Sequence, residues 1–287
     1  MKTIKIFVCC HKFYDILPPL CEPIQCGSAF NYKIKGIIHD DEGENISLKN
    51  PWYCELTAHY FAWKNIAADY YGFYHYRRFL AAERGKKRPY FAKGKLLNKE
   101  KARFLADENY WSRLIEQNEI IIPKSENMGI SVYDHYRTSK YHYAEDLELF
   151  IKILNKNNPE FTAVAEQYLI QKRQYFCNMF IMSKKLFFEY CEVLFEVLSE
   201  FDSVKKPHGD FQSDRTDGYL GEIFTGIYIT YCKEKGIKIA EKPRLDINCG
   251  IKKRFYYTIL PPESKRRFLV KKIAKKIRRK IKCMIIL

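Results

Sequence analysis

The sequence predicts an α/β fold with a mostly parallel central sheet, followed by a C-terminal basic amphipathic helix. Three observations predict it. Short runs rich in β-branched and aromatic residues alternate with segments of helical period. The order from the N-terminus is strand, irregular link, strand, helix, strand, which is the pattern of an α/β domain. The basic residues are crowded into the last segment rather than spread over the chain.

Taken in order, residues 4–10 read as a buried strand ended by His11-Lys12, with a Pro18-Pro19 break beyond. Residues 32–39 alternate well enough for a second strand and close on the acidic turn Asp40-Asp41-Glu42-Gly43. Asn50-Pro51 reads as a helix start, with Asn as N-cap and Pro first in the helix. Leu56, Tyr60, Trp63 and Ala67 then share a helical face. Residues 69–80 read as a strand carrying His75-Tyr76-Arg77-Arg78 near its end, and residues 83–103, rich in Lys, Arg and Gly, as a surface excursion. Residues 120–123 form a short strand ended by proline. Residues 133–155 read as one helix, and Pro159 opens another to about residue 171. Residues 176–182 suit a core strand. Leu186, Tyr190, Leu194, Val197 and Phe201 mark an amphipathic helix, residues 205–217 a polar loop, and residues 218–235 a further helix.

The chain has 287 residues, 47% of them hydrophobic and 16% aromatic, enough for one large packed domain and too many for a disordered chain. Of ten cysteines, Cys9, Cys10, Cys26, Cys54, Cys177, Cys191 and Cys232 lie in apolar runs, and no C-x-x-C pair occurs. Buried free thiols, a reducing cytoplasmic compartment and no zinc site are therefore expected. The first apolar run is too short for a secretory leader. No run approaches the roughly 18 apolar residues of a membrane span. The net charge is +16, but from residue 251 onward fourteen Lys or Arg stand against Glu263 alone. That segment carries +13, leaving +3 for the rest, so the body is not a basic nucleic-acid-binding surface.

Parallel sheets bind ligands at the carboxyl ends of their strands. The clusters His11-Lys12, Asp40-Asp41 and His75-Tyr76-Arg77-Arg78 stand at predicted strand ends, and adjacent arginines suit a diphosphate. An isolated pair of this kind also fits a solvated turn. A second cluster holds Asn45, Ser47, Asn50, Glu55 and Lys64, for which capping and exposed helix positions are the plainer explanation. In the polar loop and the next helix, Asp214, Asp217 and Glu222 are candidate general bases, although each acid alone is as well explained by solubility or a helix start. Dinucleotide, P-loop, zincin and nucleophile-elbow motifs are absent, as is a D-x-D metal clamp after a hydrophobic strand.

The runs Pro23-Ile24-Gln25-Cys26-Gly27, Asn45-Ile46-Ser47-Leu48-Lys49-Asn50, Glu55-Leu56-Thr57 with Trp63-Lys64-Asn65, and Gly72-Phe73-Tyr74-His75-Tyr76-Arg77-Arg78-Phe79 carry a resemblance. So do Tyr133-Asp134-His135-Tyr136 and Asn178-Met179-Phe180-Ile181-Met182. Over residues 4–245 the chain resembles a bacterial family labelled a domain of unknown function, found in capsule, exopolysaccharide and lipopolysaccharide O-antigen pathways. The resemblance implies a glycosyltransferase of GT-A-like fold, with some members associated with galactofuranose transfer. It implies a nucleotide-sugar donor, uridine-linked, and a lipid-linked saccharide acceptor, while the charge count divides the chain into a domain at 1–250 and a basic tail at 251–287. Donor-binding residues carried over are Asn45, Ser47, Asn50, Glu55, Lys64, His75, Arg77, Arg78 and Asn178, with His11, Lys12, Asp40, Asp41 and Tyr76 added as strand-end neighbours. Cationic side chains are expected to replace a metal at the diphosphate, so no cofactor is expected.

In the tail, Phe268, Val270, Ile273, Ala274, Ile277, Ile281 and Met284 recur at helical spacing between lysines and arginines. A basic amphipathic helix over 264–287 is expected to lie on an anionic membrane, placing the protein on the inner face of the cell membrane. Nucleic acid is the rival partner, disfavoured by the apolar stripe. A non-catalytic membrane adaptor scaffolding polysaccharide assembly is the alternative function.

Overall fold

The structure is a computed structural model describing residues 2–12, 17–82, 90–92, 105–206, 208, 214–247, 259–260, 264–270 and 273. The chain runs through β1 (Ile4–Cys10), β2 (Cys21–Gln25) and β3 (Ile38–His39) to the short α1 (Asn50–Tyr53) and α2 (Leu56–Asn65). Next come β4 (Tyr70–His75), β5 (Arg78–Leu80), β6 (Tyr90–Ala92), α3 (Glu108–Glu116), β7 (Ile120–Pro123) and β8 (Glu126–Asn127). Then follow α4 (Val132–Thr138), α5 (Ala144–Asn157), α6 (Thr162–Ile170), β9 (Arg173–Gln174) and β10 (Phe180–Ser183). The long α7 (Lys184–Val204), α8 (Thr216–Glu234), β11 (Ile239–Lys242) and β12 (Arg244–Ile247) complete the domain.

The main sheet has the order β3-β2-β1-β4-β10-β7-β11, all parallel except β10. The expected α/β class with a mostly parallel sheet is therefore present. Alternation along each strand sends side chains to opposite faces. Phe7, Cys9, Phe73, Ile120, Ile122, Phe180 and Met182 join the larger core under α2 and α5–α8, where Phe187, Tyr190, Phe224 and Tyr228 stack with them. Ile6, Val8, Tyr74, Ile121 and Ile181 face a smaller core closed by Trp111 and Ile115 of α3. The stripe expected on α7 is fully inside: Leu186, Tyr190, Leu194, Val197 and Phe201 are all buried.

Several local expectations are corrected. The second strand is β2, hidden by Pro23, a residue depleted in strands; residues 32–37 are irregular, with β3 reduced to two residues. Asn50 does not cap a helix. Its side chain reaches forward to Cys54 O at 2.7 Å and Thr57 Oγ1 at 3.2 Å, and Lys49 holds the cap position. The buried face of α2 is Leu56, Ala58, His59, Phe61 and Ala62, and Ala67 lies beyond its end. Residues 69–80 form two strands joined by a tight turn, since His75 pairs with Arg78. The helix expected over 133–155 breaks between Thr138 and Ala144. Residues 83–89 and 93–104, and most of the tail, lie outside the described residues.

Asp40, fully buried, ties the first half together. It accepts from Gly27 N–H at 2.8 Å, Ser28 N–H at 3.0 Å, and the hydroxyls of Ser47 and Thr57, each at 2.6 Å. Gly27 must be glycine here: its φ is +67°, and a Cβ would stand 2.5 Å from Asn50 Oδ1. Hydrogen bonds to a charged group are each worth about 1.5–3 kcal/mol, and removing the acceptor orphans four donors. Asp40→Ala should therefore lower stability by about 3 kcal/mol or more, read as a fall in the urea midpoint at unchanged slope.

Candidate functional site

The carboxyl ends of β1, β2 and β4 open on one edge of the sheet, and because β10 runs backwards its amino end opens there too. At β1 and β4 this gives His11 and the turn Tyr76-Arg77. His11 packs edge-on against Tyr76 at 4.8 Å, His75 stacks on Tyr76 at 4.2 Å, and the Arg77 guanidinium lies 4.6 Å from the Tyr76 ring. Burial, with Arg78 and Arg77 adding repulsion, pushes His75 down to about 3. Its ring is neutral at pH 7, and Nδ1 accepts from Arg77 N–H at 3.3 Å, leaving Nε2 to carry the proton. His11 is lowered by burial, then by Lys12 and Arg77.

The second wall comes from β5 and β12. Arg78 pairs in register with Asp246, and Arg78 Nε lies 3.4 Å from Asp246 Oδ1. Arg244, two residues before Asp246 on the same strand face, contacts Asp246 at 3.4 Å and Glu126 at 2.8 Å. Its Nη1 donates to Cys177 Sγ at 3.4 Å. Two guanidiniums thus flank the Cys177-Asn178 approach to β10.

The third wall is the start of α8. Glu222 accepts from Cys177 N–H at 2.9 Å. Burial and the nearby Glu55 push its carboxyl up to about 7, against the pull of that N–H, Arg78 and Arg244. Asn178 is buried and donates to Gly218 O at 3.1 Å and Glu55 Oε1 at 3.3 Å, joining β10, α8 and the segment before α2. Arg215 Nε lies 3.1 Å from Cys54 Sγ. Cys54, Cys177 and Asn178 all have positive φ (52°, 83° and 44°). Such backbone costs about 1–3 kcal/mol per residue and gathers where the surroundings over-determine it, commonly at active sites. Three at one crevice mark it.

Of the residues singled out from the sequence, His11, Lys12, Glu55, His75, Tyr76, Arg77, Arg78, Asn178 and Glu222 border this crevice. The others do not take part. Asp40 and Ser47 are consumed in the buried knot, and Asn45 binds the backbone of Asp41, Gly43 and Ser47, organising a turn. Asn50 braces Cys54 from behind. Asp41 pairs with Lys33 at 2.8 Å. Lys64 sits near the far end of α2, about 14 Å along the helix from Glu55, over Trp63 at 3.7 Å and beside Glu44. Asp217 is fully buried against Lys205 at 2.6 Å; burial and Asp202 raise its carboxyl. Asp214 is buried and accepts from Thr216 N–H at 3.0 Å, a turn at the helix start. Arg215, Arg244 and Asp246 were missed. The only signal for the last two was a charged alternation in Arg244-Leu245-Asp246, hidden by its position after a proline. Among the described residues no cluster of three His, Cys, Asp or Glu could hold a metal ion.

Fold and crevice together define an α/β protein with an arginine-walled crevice, a candidate ligand site, at the carboxyl edge of its sheet. A family model described as "Domain of unknown function (DUF4422)" matches residues 5–234, and the chain belongs to that family. The chain is also similar to the structure titled WbbM bifunctional glycosyltransferase, apo form, with 32% identity and a TM-score of 0.79. That match covers 86% of this chain and 46% of the other, so the chain spans about half of that protein. No curated protein matches the chain.

Glu222 has a testable linkage. Its folded pKa, about 7, stands above the ordinary 4.5, so the stability it contributes is complete below pH 4.5 and is lost as pH rises through 7. Glu222→Gln should raise Tm relative to wild type at pH 8 and leave it nearly unchanged at pH 4, read by calorimetry at both values.

Proposed function

We propose that the protein is a glycosyltransferase that moves a sugar from a nucleoside-diphosphate donor to a saccharide hydroxyl. The observation that carries this reading is the meeting of Glu222, held near neutrality, with Arg78 and Arg244 at the sheet's carboxyl edge. The likeness to a glycosyltransferase over 86% of the chain supports it. In the single-displacement route the acceptor oxygen forms the new bond to the anomeric carbon as the bond from that carbon to the diphosphate oxygen breaks. The diphosphate leaves with the electron pair, and Glu222 takes the acceptor proton. Arg77, Arg78, Arg244 and Arg215, with the neutral His75 Nε2–H as donor, stabilise the charge that develops on the leaving group. These cations take the place of a divalent metal.

The donor is a uridine-linked sugar, galactose or galactofuranose, and the acceptor a lipid-linked saccharide of a capsule, exopolysaccharide or O-antigen pathway. UDP should raise Tm, Arg78→Ala should abolish that rise, and turnover of UDP-sugar should fall by about 100-fold in Arg78→Ala while surviving EDTA. No UDP-dependent rise in the wild type, or an absolute need for manganese, overturns the reading.

The tail over 251–287 docks the enzyme on the inner face of the cell membrane. Phe268 packs on Gly129, where an added Cβ would stand 2.7 Å from its ring, so the helical stretch 265–270 is anchored to the body. Leu269, Val270 and Ile273 are exposed beside Lys265 and Arg266. Each basic residue near an anionic surface contributes about 1 kcal/mol. No described helix is long and apolar enough to cross a membrane. Removal of residues 263–287 should abolish pelleting with phosphatidylglycerol vesicles; unchanged pelleting rules the tail out.

A further inference from the structure

α8 carries Tyr219 one helical turn before Glu222, so the two side chains share a face. Tyr219 continues into an aromatic row. His142 lies against it at 4.1 Å, tilted by 36°, and Tyr136 backs His142 at 4.5 Å. Tyr219 and His142 are half-buried and Tyr136 is fully buried, so the row has a supported back and an accessible front. Arg215 reaches over Tyr219 with its guanidinium 5.9 Å from the ring, linking the row to the charged crevice.

The residue before His142 in the chain is oddly held. Between α4 and α5 the chain turns through Ser139-Lys140-Tyr141-His142, closed by His142 N–H to Ser139 O at 3.4 Å. Tyr141 has φ +69° at the third position of this turn, where glycine or asparagine is favoured. Tyr141 is 56% exposed, and the Lys140 ammonium lies 4.5 Å from its ring. A bulky residue held in left-handed backbone and this exposed gains no core packing in return for that strain. Behind the row, Tyr136 Oη and His142 Nδ1 are buried with no hydrogen-bond partner among the described residues. The region therefore keeps polar capacity that a water or a hydroxyl can satisfy.

We propose that Tyr219, His142 and Tyr141 form the shelf on which a sugar ring of the acceptor stacks, aligning its hydroxyl with Glu222. A pyranose offers one face of C–H bonds, apolar and faintly positive, which suits the negative face of an aromatic ring, while its hydroxyls stay at the rim. The charge layout assigns the two halves of the crevice. The arginines and His75 suit the diphosphate; the aromatic row has only the Arg215 guanidinium at its inner end and the Lys140 ammonium 4.5 Å from the Tyr141 ring, which suits a saccharide whose hydroxyls accept from those two cations while its C–H face stacks. The inference deepens the glycosyltransferase reading and rests on it.

The test is saturation-transfer NMR with methyl β-D-galactopyranoside on the full chain, with and without saturating UDP. The expected result is transfer to the C–H protons of the galactoside that persists with UDP present. It should drop about fivefold in Tyr141→Ala and in His142→Ala and be retained in Tyr141→Phe, because stacking needs the ring and not the hydroxyl. Tyr141 is exposed, so Tyr141→Ala keeps the fold, and its Tm serves as the check. No transfer in the wild type, unchanged transfer in Tyr141→Ala, or loss of transfer on adding UDP each overturns the shelf. Thermal stabilisation by UDP is read separately. Its absence sinks the nucleotide reading, whereas its presence without galactoside transfer sinks the shelf alone.

Discussion

A single buried carboxylate sets the geometry of the N-terminal half. Asp40 has no solvent to neutralise it, so it must be saturated by protein donors. The four it finds come from the end of β2, from the segment before α1, and from α2. Once they are bound, the chain leaving β2, the segment before α1 and the start of α2 are tied to one point. Glu55 and Cys54 immediately precede α2, so their place at the crevice follows from a charge that never meets the ligand.

The crevice itself is held by polar contacts that oppose backbone strain. Cys54 sits at positive φ with its carbonyl taken by Asn50, and Asn178 sits at positive φ with its amide spread between Glu55 and Gly218. Gly218 allows this closeness, since a Cβ there would lie 2.9 Å from Cys54 Sγ. The cost of the strain is local, and the contacts that offset it come from three separate elements. Rigidity of this kind holds Glu222 on Cys177 N–H while Arg78 and Arg244 stay paired with Asp246 and Glu126 on the opposite wall.

Much of this was legible in the sequence, and what was not has a physical reason. Apolar runs such as 4–10, 120–123 and the α7 stripe announce themselves because burial dictates their residue types. The strand-end position of His75-Tyr76-Arg77-Arg78 was readable, and Glu222, singled out as a candidate base, is brought to the same crevice by α8. Asp40 and Asp217 were read as available acids, yet composition cannot distinguish a carboxylate that binds a ligand from one that is saturated or paired inside. Asn50 looked like a cap because its contact to Cys54 depends on a left-handed residue that no propensity announces. Arg244 and Arg215 lie far from the other arginines in sequence and join them only through sheet pairing and the position of α8.

The reversed direction of β10 has a consequence for the protein's synthesis. Its amino end reaches the same edge as the carboxyl ends of its neighbours, and so the crevice draws on residues from His11 to Arg244. No fragment emerging early from the ribosome holds more than part of it. The growing chain gains paired arginines around Cys177 only when its last strand joins β5. A half-made chain can bury apolar surface and be compact, yet its crevice still lacks a wall.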